Sequence, residues 1–84
     1  MLGEIFENYI RSGRYDSKNR EIGYVVGFRD DGVNFYAWVQ NARRVNGEWQ
    51  EFGVRQRSKC FTSKVKSVSW AYCTANERIA KLKA

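Results

Sequence analysis

The stretch that decides the fold runs Glu21-Ile22-Gly23-Tyr24-Val25-Val26-Gly27-Phe28-Arg29-Asp30-Asp31-Gly32-Val33-Asn34-Phe35-Tyr36-Ala37-Trp38-Val39-Gln40. Successive strand side chains point to opposite faces, so a period of two marks a β-strand with one face buried. Ile22, Tyr24, Val26 and Phe28 share one face; Glu21, Gly23, Val25 and Gly27 share the other. Asp31-Gly32 is a strong signal for a two-residue hairpin turn. Beyond it, Val33, Phe35, Ala37 and Val39 form an apolar face, with Asn34, Tyr36, Trp38 and Gln40 opposite.

Downstream, Asn46-Gly47 is a second hairpin signal. It introduces a third strand with Phe52 and Val54 inward and Arg55, Arg57 and Lys59 outward. Closing the first turn on Asp31-Gly32 pairs Phe28 with Phe35, Val26 with Ala37, and Tyr24 with Val39. Closing the second on Asn46-Gly47 pairs Val39 with Val54, Trp38 with Arg55, Tyr36 with Arg57, and Asn34 with Lys59. Apolar side chains then meet on one face and aromatics meet arginines on the other, so the two turns agree on one register.

Upstream, Leu2, Ile5, Phe6, Tyr9 and Ile10 recur at helical spacing and predict a short amphipathic helix over residues 2–11. Residues 12–20 are polar, lack a period and read as a loop carrying Arg14, Lys18 and Arg20. At the other end, Thr62 or Ser63 caps a helix over residues 63–83. Its core stripe is Val65, Val68, Tyr72, Ala75, Ile79 and Leu82, with Trp70 nearly opposite. The expected fold is α+β in the order α-β-β-β-α: a single domain over residues 1–84, whose three-stranded antiparallel meander (residues 21–61) packs on the C-terminal helix.

With 84 residues, 43% hydrophobic and 15% aromatic, the chain can build one core and is unlike a disordered sequence. It has no histidine and two cysteines, Cys60 and Cys73, which leaves almost no ligands for a zinc site. Both cysteines read as free thiols, Cys60 partly buried, with a Cys60–Cys73 bridge as the alternative. The opening residues are acidic and their apolar positions interrupted, so no signal peptide is expected. No apolar run reaches membrane-spanning length, which points to a cytoplasmic protein with no membrane partner. No carboxylate pair, histidine or glycine-rich phosphate loop supports catalysis, so no enzyme activity, cofactor, metal or small-molecule substrate is expected.

The net charge of +6, from 15 basic and 9 acidic residues, fits a polyanionic partner. The candidate surface is the outer sheet face: Tyr36, Trp38, Arg55 and Arg57 at its centre, with Gln40 and Lys59 around them. Cross-strand aromatic–arginine neighbours also stabilise an exposed sheet by cation–π contact. Gly23 and Gly27 beside them read as bare patches for close approach of a ligand. Lys64 and Lys66 at the helix start offer free amides and positive charge to a phosphate. Arg43 and Arg44 are placed at the tip of the second hairpin, within reach of a flanking phosphate.

The run Phe61-Thr-Ser-Lys-Val-Lys-Ser-Val-Ser-Trp-Ala71 resembles the strand-to-helix junction of the arm-type, AP2-like DNA-binding domains of phage integrases. Lys66 stands where that family commonly has Glu. The resemblance covers about 50 residues. It implies three strands lying in the DNA major groove, with contact through Tyr36, Trp38, Arg55 and Arg57. The α-β-β-β-α order is also similar to a double-stranded-RNA-binding domain, which would use Ser63-Lys64 at the helix start. Small phage-type proteins that bind and inhibit a host protein share this size and form. Nucleic acid, DNA before RNA, is thus the expected partner, with a host protein as the alternative.

Overall fold

The computed structural model describes residues 4–83. Four antiparallel strands run in chain order: β1 (Glu4–Tyr15), β2 (Glu21–Asp30), β3 (Phe35–Val45) and β4 (Glu48–Arg57). One helix, α1 (Lys64–Lys83), follows. The α+β class stands, but the order is β-β-β-β-α, with four strands rather than three and a strand where the N-terminal helix was expected. Leu2, the first apolar residue of that helix, lies outside the described residues.

The correction has a simple cause. Phe6 and Ile10, or Ile5 and Tyr9, are four residues apart, and four is both about one helical turn and twice the strand period. Periodicity alone cannot separate the two. The hydrogen-bonding needs of β2 decide it: residues 21–28 are buried or nearly so, and a buried strand must pair its amides and carbonyls on both edges. β1 supplies the second edge, pairing from Glu4 opposite Asp30 to Tyr15 opposite Glu21, with a bulge between Arg11 and Arg14. Only part of the expected loop over residues 12–20 remains as a turn. There Asp16 closes the hairpin, with its amide donating to the Arg20 carbonyl (2.9 Å) and Asn19 in the left-handed region (φ 62°).

In β2–β3 the expected faces are right and the register is two off: Phe28 lies opposite Ala37, Val26 opposite Val39 and Tyr24 opposite Asn41. The turn centres on Gly32-Val33, because the Asp31 amide bonds the Asn34 carbonyl (3.2 Å) and the Asp31 carboxylate accepts from the Asn34 amide (3.0 Å). A shift of two preserves every face. Val33 leaves the strand for the turn and is exposed.

The second turn is as expected, with Asn46 and Gly47 at positive φ and Val45 opposite Glu48. The register then shifts between Val39 and Asn41, where Gly53 takes φ 78°. Val39 therefore faces Gln56, and Val54, expected inward against Val39, is 88% exposed. After β4 the chain stays on the sheet, through Ser58 bonded to the Ala37 carbonyl and a bridge between Phe35 and Phe61.

The core lies between α1 and the sheet face formed by the even-numbered residues of β2 and the odd-numbered residues of β3: Tyr24, Val26, Phe28, Ala37 and Val39 against Ala71 and Ala75. Ser63 caps α1 by accepting from the Lys66 amide (3.4 Å). The helix turns its small residues, Ser67, Ala71 and Ala75, directly to the sheet, and Val68, Trp70, Tyr72 and Ile79 flank them. Of the expected stripe, Ala75 is buried and Val68, Tyr72 and Ile79 pack on the core, whereas Val65 and Leu82 are exposed; Ser67 and Ala71, outside the stripe, are buried, and Trp70 packs. Cys60, expected partly buried, is exposed, and both cysteines are free. No described helix is long and apolar enough to cross a membrane.

Candidate nucleic-acid interface

α1 covers one face of the sheet and leaves the other without a covering element. The odd-numbered residues of β2 and the even-numbered residues of β3 project there, yet the face is not bare. Val25 and Ala42 are fully buried on it, and Trp38 is 3% exposed. Two indoles provide the cover. Trp38 lies across Gly27, its register partner, so closely that a methyl group on Gly27 would overlap the ring. Trp49 reaches Gly23 in the same way and stacks on Tyr9 with centroids 5.8 Å apart and planes 8° from parallel. Gly23 and Gly27, expected to be open to a ligand, are instead the recesses that receive this protein's own tryptophans. Glycine is required at both because any Cβ would collide with a ring.

Arginines roof this aromatic layer. The Arg55 guanidinium lies 4.6 Å from the Trp38 ring centroid, Arg57 lies 4.3 Å from that of Tyr36, and Arg44 lies 5.8 Å from that of Trp49. The expected partnerships Trp38–Arg55 and Tyr36–Arg57 therefore form as side-chain contacts. In backbone register Trp38 sits opposite Arg57, so each arginine reaches its ring diagonally. Tyr36 and Trp38 are themselves in contact, with centroids 6.1 Å apart. Gln40 joins the layer by donating to the Gly53 carbonyl at the bulge (3.0 Å).

Charge is distributed unevenly across the face. At one end Glu21, buried, accepts from Arg11 (2.7 Å) and lies 3.9 Å from Arg44. That hydrogen bond raises the Arg11 pKa further above its ordinary value. Burial, with Glu51 and Glu7 nearby, raises the Tyr9 hydroxyl pKa as well. In the middle Arg55 lies 3.8 Å from Glu51. At the far end Arg29, opposite Tyr36 in register, and Arg57 form no ion pair among the described residues. Glu7, opposite Gly27 in register, lies on the same face beside this end.

The other expected site residues separate. Arg43 and Arg44 are inside β3 rather than at the hairpin tip, on opposite faces: Arg43 lies on the α1 side over the Phe52 ring (4.0 Å). Lys64, at the start of α1, has its ammonium 5.0 Å from the Phe28 ring, also on the α1 side; Lys66 is exposed on the helix. Lys59 is exposed beyond β4, near the Phe61 ring (5.3 Å). Thus Tyr36, Trp38, Gln40, Arg44, Arg55 and Arg57 come together, while Arg43, Lys64 and Lys66 do not join them.

Sequence reasoning missed Arg29, Tyr9, Trp49 and Arg11. Arg29 continues the odd-numbered set begun by Glu21, and Trp49 shares the parity of Arg55, so alternation alone would have found both. Tyr9 and Arg11 were hidden by the helix reading of β1.

On the α1 side a cleft of about 290 Å³ opens beneath the end of the helix, lined by Asp16, Ile22, Tyr24, Asn41, Arg43, Phe52 and Leu82. Its polar groups turn to other partners: Asp16 to Arg20 and Asn41 to Arg78. No group of three or more metal-ligating side chains occurs among the described residues. No protein-family model matches the chain, and neither a curated protein nor a solved structure does.

Proposed function

We propose that this chain is a nucleic-acid-binding protein, acting by binding rather than catalysis, and that it contacts duplex DNA with its uncovered sheet face. The observation that carries this reading is the pair Arg29 and Arg57 beside Tyr36, with Arg55 next to them over Trp38, on a face that no helix covers and where Arg29 and Arg57 form no ion pair among the described residues. Guanidinium groups suit phosphates and guanine edges through their fork of donors. Cation–π contact holds Arg55 and Arg57 over rings, which limits the freedom they would lose on binding. Trp38 takes a different role from the expected one. It is the support beneath Arg55, and the half-buried Tyr36 is the ring available to a sugar or base.

The test is fluorescence anisotropy with a labelled DNA duplex at several salt concentrations. Wild-type affinity should fall steeply with salt, because phosphate neutralisation releases counterions. Arg57→Ala and Arg29→Ala should each weaken binding and reduce the magnitude of the salt slope by roughly one. Lys64→Ala/Lys66→Ala, on the other side of the molecule, should change little. Unchanged binding in the arginine variants, or a larger loss in the lysine variant with duplex RNA preferred, overturns the reading. A nuclease-treated pull-down that returns a stoichiometric protein and no nucleic acid overturns it in favour of a protein partner.

A further inference from the structure

β4 is an edge strand, and all of its residues but Trp49 are exposed. An unpaired strand edge is a template for another strand unless proline, charged side chains, a bulge or a covering element blunts it, and charges blunt it against a second copy only where they meet like charges. β4 has no proline, and its charges are segregated by sign: Glu48 and Glu51 precede Gly53, and Arg55 and Arg57 follow it, so an antiparallel second copy meets each with the opposite sign. We propose that β4 pairs with β4 of a second copy, antiparallel, about a two-fold axis at Gly53.

The register follows from self-complementarity. An axis at Gly53 sets each residue opposite the one equally far on the other side, and each pair occurs twice, as an isologous interface requires. Phe52 meets Val54, the strand's two exposed large apolar side chains besides the half-buried Trp49, so surface that the single chain leaves in water becomes buried. Glu51 meets Arg55, and Trp49 meets Arg57. Each is a kind of contact the chain already makes within itself: Glu51 lies 3.8 Å from Arg55, and arginines lie over Trp38 and Tyr36. The bulge at Gly53 increases local twist, and glycine leaves the axis clear of side chains where the strands cross. Opposed residues share a face, so the two four-stranded sheets become one, with both helices on one side and both arginine rows on the other.

The interface does not depend on nucleic acid, and its test excludes it. Light scattering coupled to size exclusion, on nuclease-treated protein, should show a species of twice the 9.9 kDa chain mass at rising concentration. Val54→Lys should be monomeric while keeping the wild-type circular dichroism spectrum, because Val54 is solvent-exposed in the single chain. Glu51→Arg and Arg55→Glu should each be monomeric alone and should form a mixed dimer when combined. Pairing within one chain cannot produce that result. A wild-type protein that stays monomeric, a Val54→Lys variant as dimeric as wild type, or a mixture that fails to associate overturns the proposal and leaves the DNA reading standing.

Discussion

The two faces of the sheet bury side chains by different means. On one face a whole helix supplies the cover, and its small residues Ser67, Ala71 and Ala75 let two backbones approach. On the other face no backbone element arrives; two glycines make room for two indoles, and arginines close the layer from above. The first solution produces an ordinary core. The second produces a thin apolar layer whose outermost groups are cations, so covering the sheet and presenting positive charge become a single arrangement. Packing and positive charge are therefore stacked on the open face: rings below, guanidinium groups above.

The difference between the two faces should show most strongly in Trp38→Ala. If the open face carries a genuine apolar layer, removing a nearly buried indole should destabilise the fold by about 3–5 kcal/mol, as for a large aromatic residue in a core. Phe28→Ala on the helix side should fall in the same range. Urea unfolding midpoints at constant slope report both. A cost for Trp38→Ala below about 1 kcal/mol would reduce the open face to an exposed platform. One feature of the indole lowers its expected value: Nε1 is buried without a hydrogen-bond partner, a liability of about 1–3 kcal/mol. Trp38→Ala would weaken the proposed DNA binding both through lost stability and through the missing support beneath Arg55, so Arg29 and Arg57 are the positions at which binding can be read separately.

Gly27→Ala sharpens the comparison by sign rather than size. In an ordinary strand, replacing glycine by alanine gains about 0.5–1 kcal/mol from reduced chain entropy. Here the new methyl group would overlap the Trp38 ring, and overpacking of this kind costs about 1–3 kcal/mol. The expected net effect is destabilisation, and combining Gly27→Ala with Trp38→Ala should be strongly non-additive, since the clash disappears with the ring. A stabilised single variant would mean that the indole has room to leave.

These two positions also show what was legible in the sequence. The faces of β2 and β3 were readable because alternation is local, and the Asn46-Gly47 turn because its backbone demands are local too. The aromatic–arginine partnerships survived a register error at one turn and a bulge at the other, since shifts of two residues keep a side chain on its face. What stayed hidden depends on partners far along the chain. β1 could not be told from a helix until β2 needed its second edge paired. Gly27 looked empty until Trp38, eleven positions away, was seen lying over it. The stripe on α1 was legible at Val68, Tyr72, Ala75 and Ile79, but Ser67 and Ala71 stayed out of it because closest approach selects small residues that hydrophobic periodicity does not mark.

The smallest expected effect concerns the turn that brings β1, with Tyr9 and Arg11, onto the open face at all. The Asp16 carboxylate accepts hydrogen bonds from the Arg20 and Lys18 amides and from the Arg20 guanidinium, each at 2.9 Å. The Arg20 amide bond is foremost in holding its pKa below the ordinary value. A carboxyl whose pKa is depressed in the folded state adds stability that is present above its unfolded value, about 3.9, and is lost as pH falls through the folded one. Acidification below about pH 4 should therefore loosen this turn before it affects the glycine-seated indoles, which carry no titrating group in that range. Hydrogen-exchange protection of the Arg20 amide, corrected for the intrinsic rate, should decline through that window in the wild type and be low throughout in Asp16→Ala. The β2–β3 amides beneath Trp38 should keep their protection in both. If those amides lose protection together with Arg20, β1 and the indole layer open as one unit, and the open face depends on its edge strand as closely as the other face depends on α1.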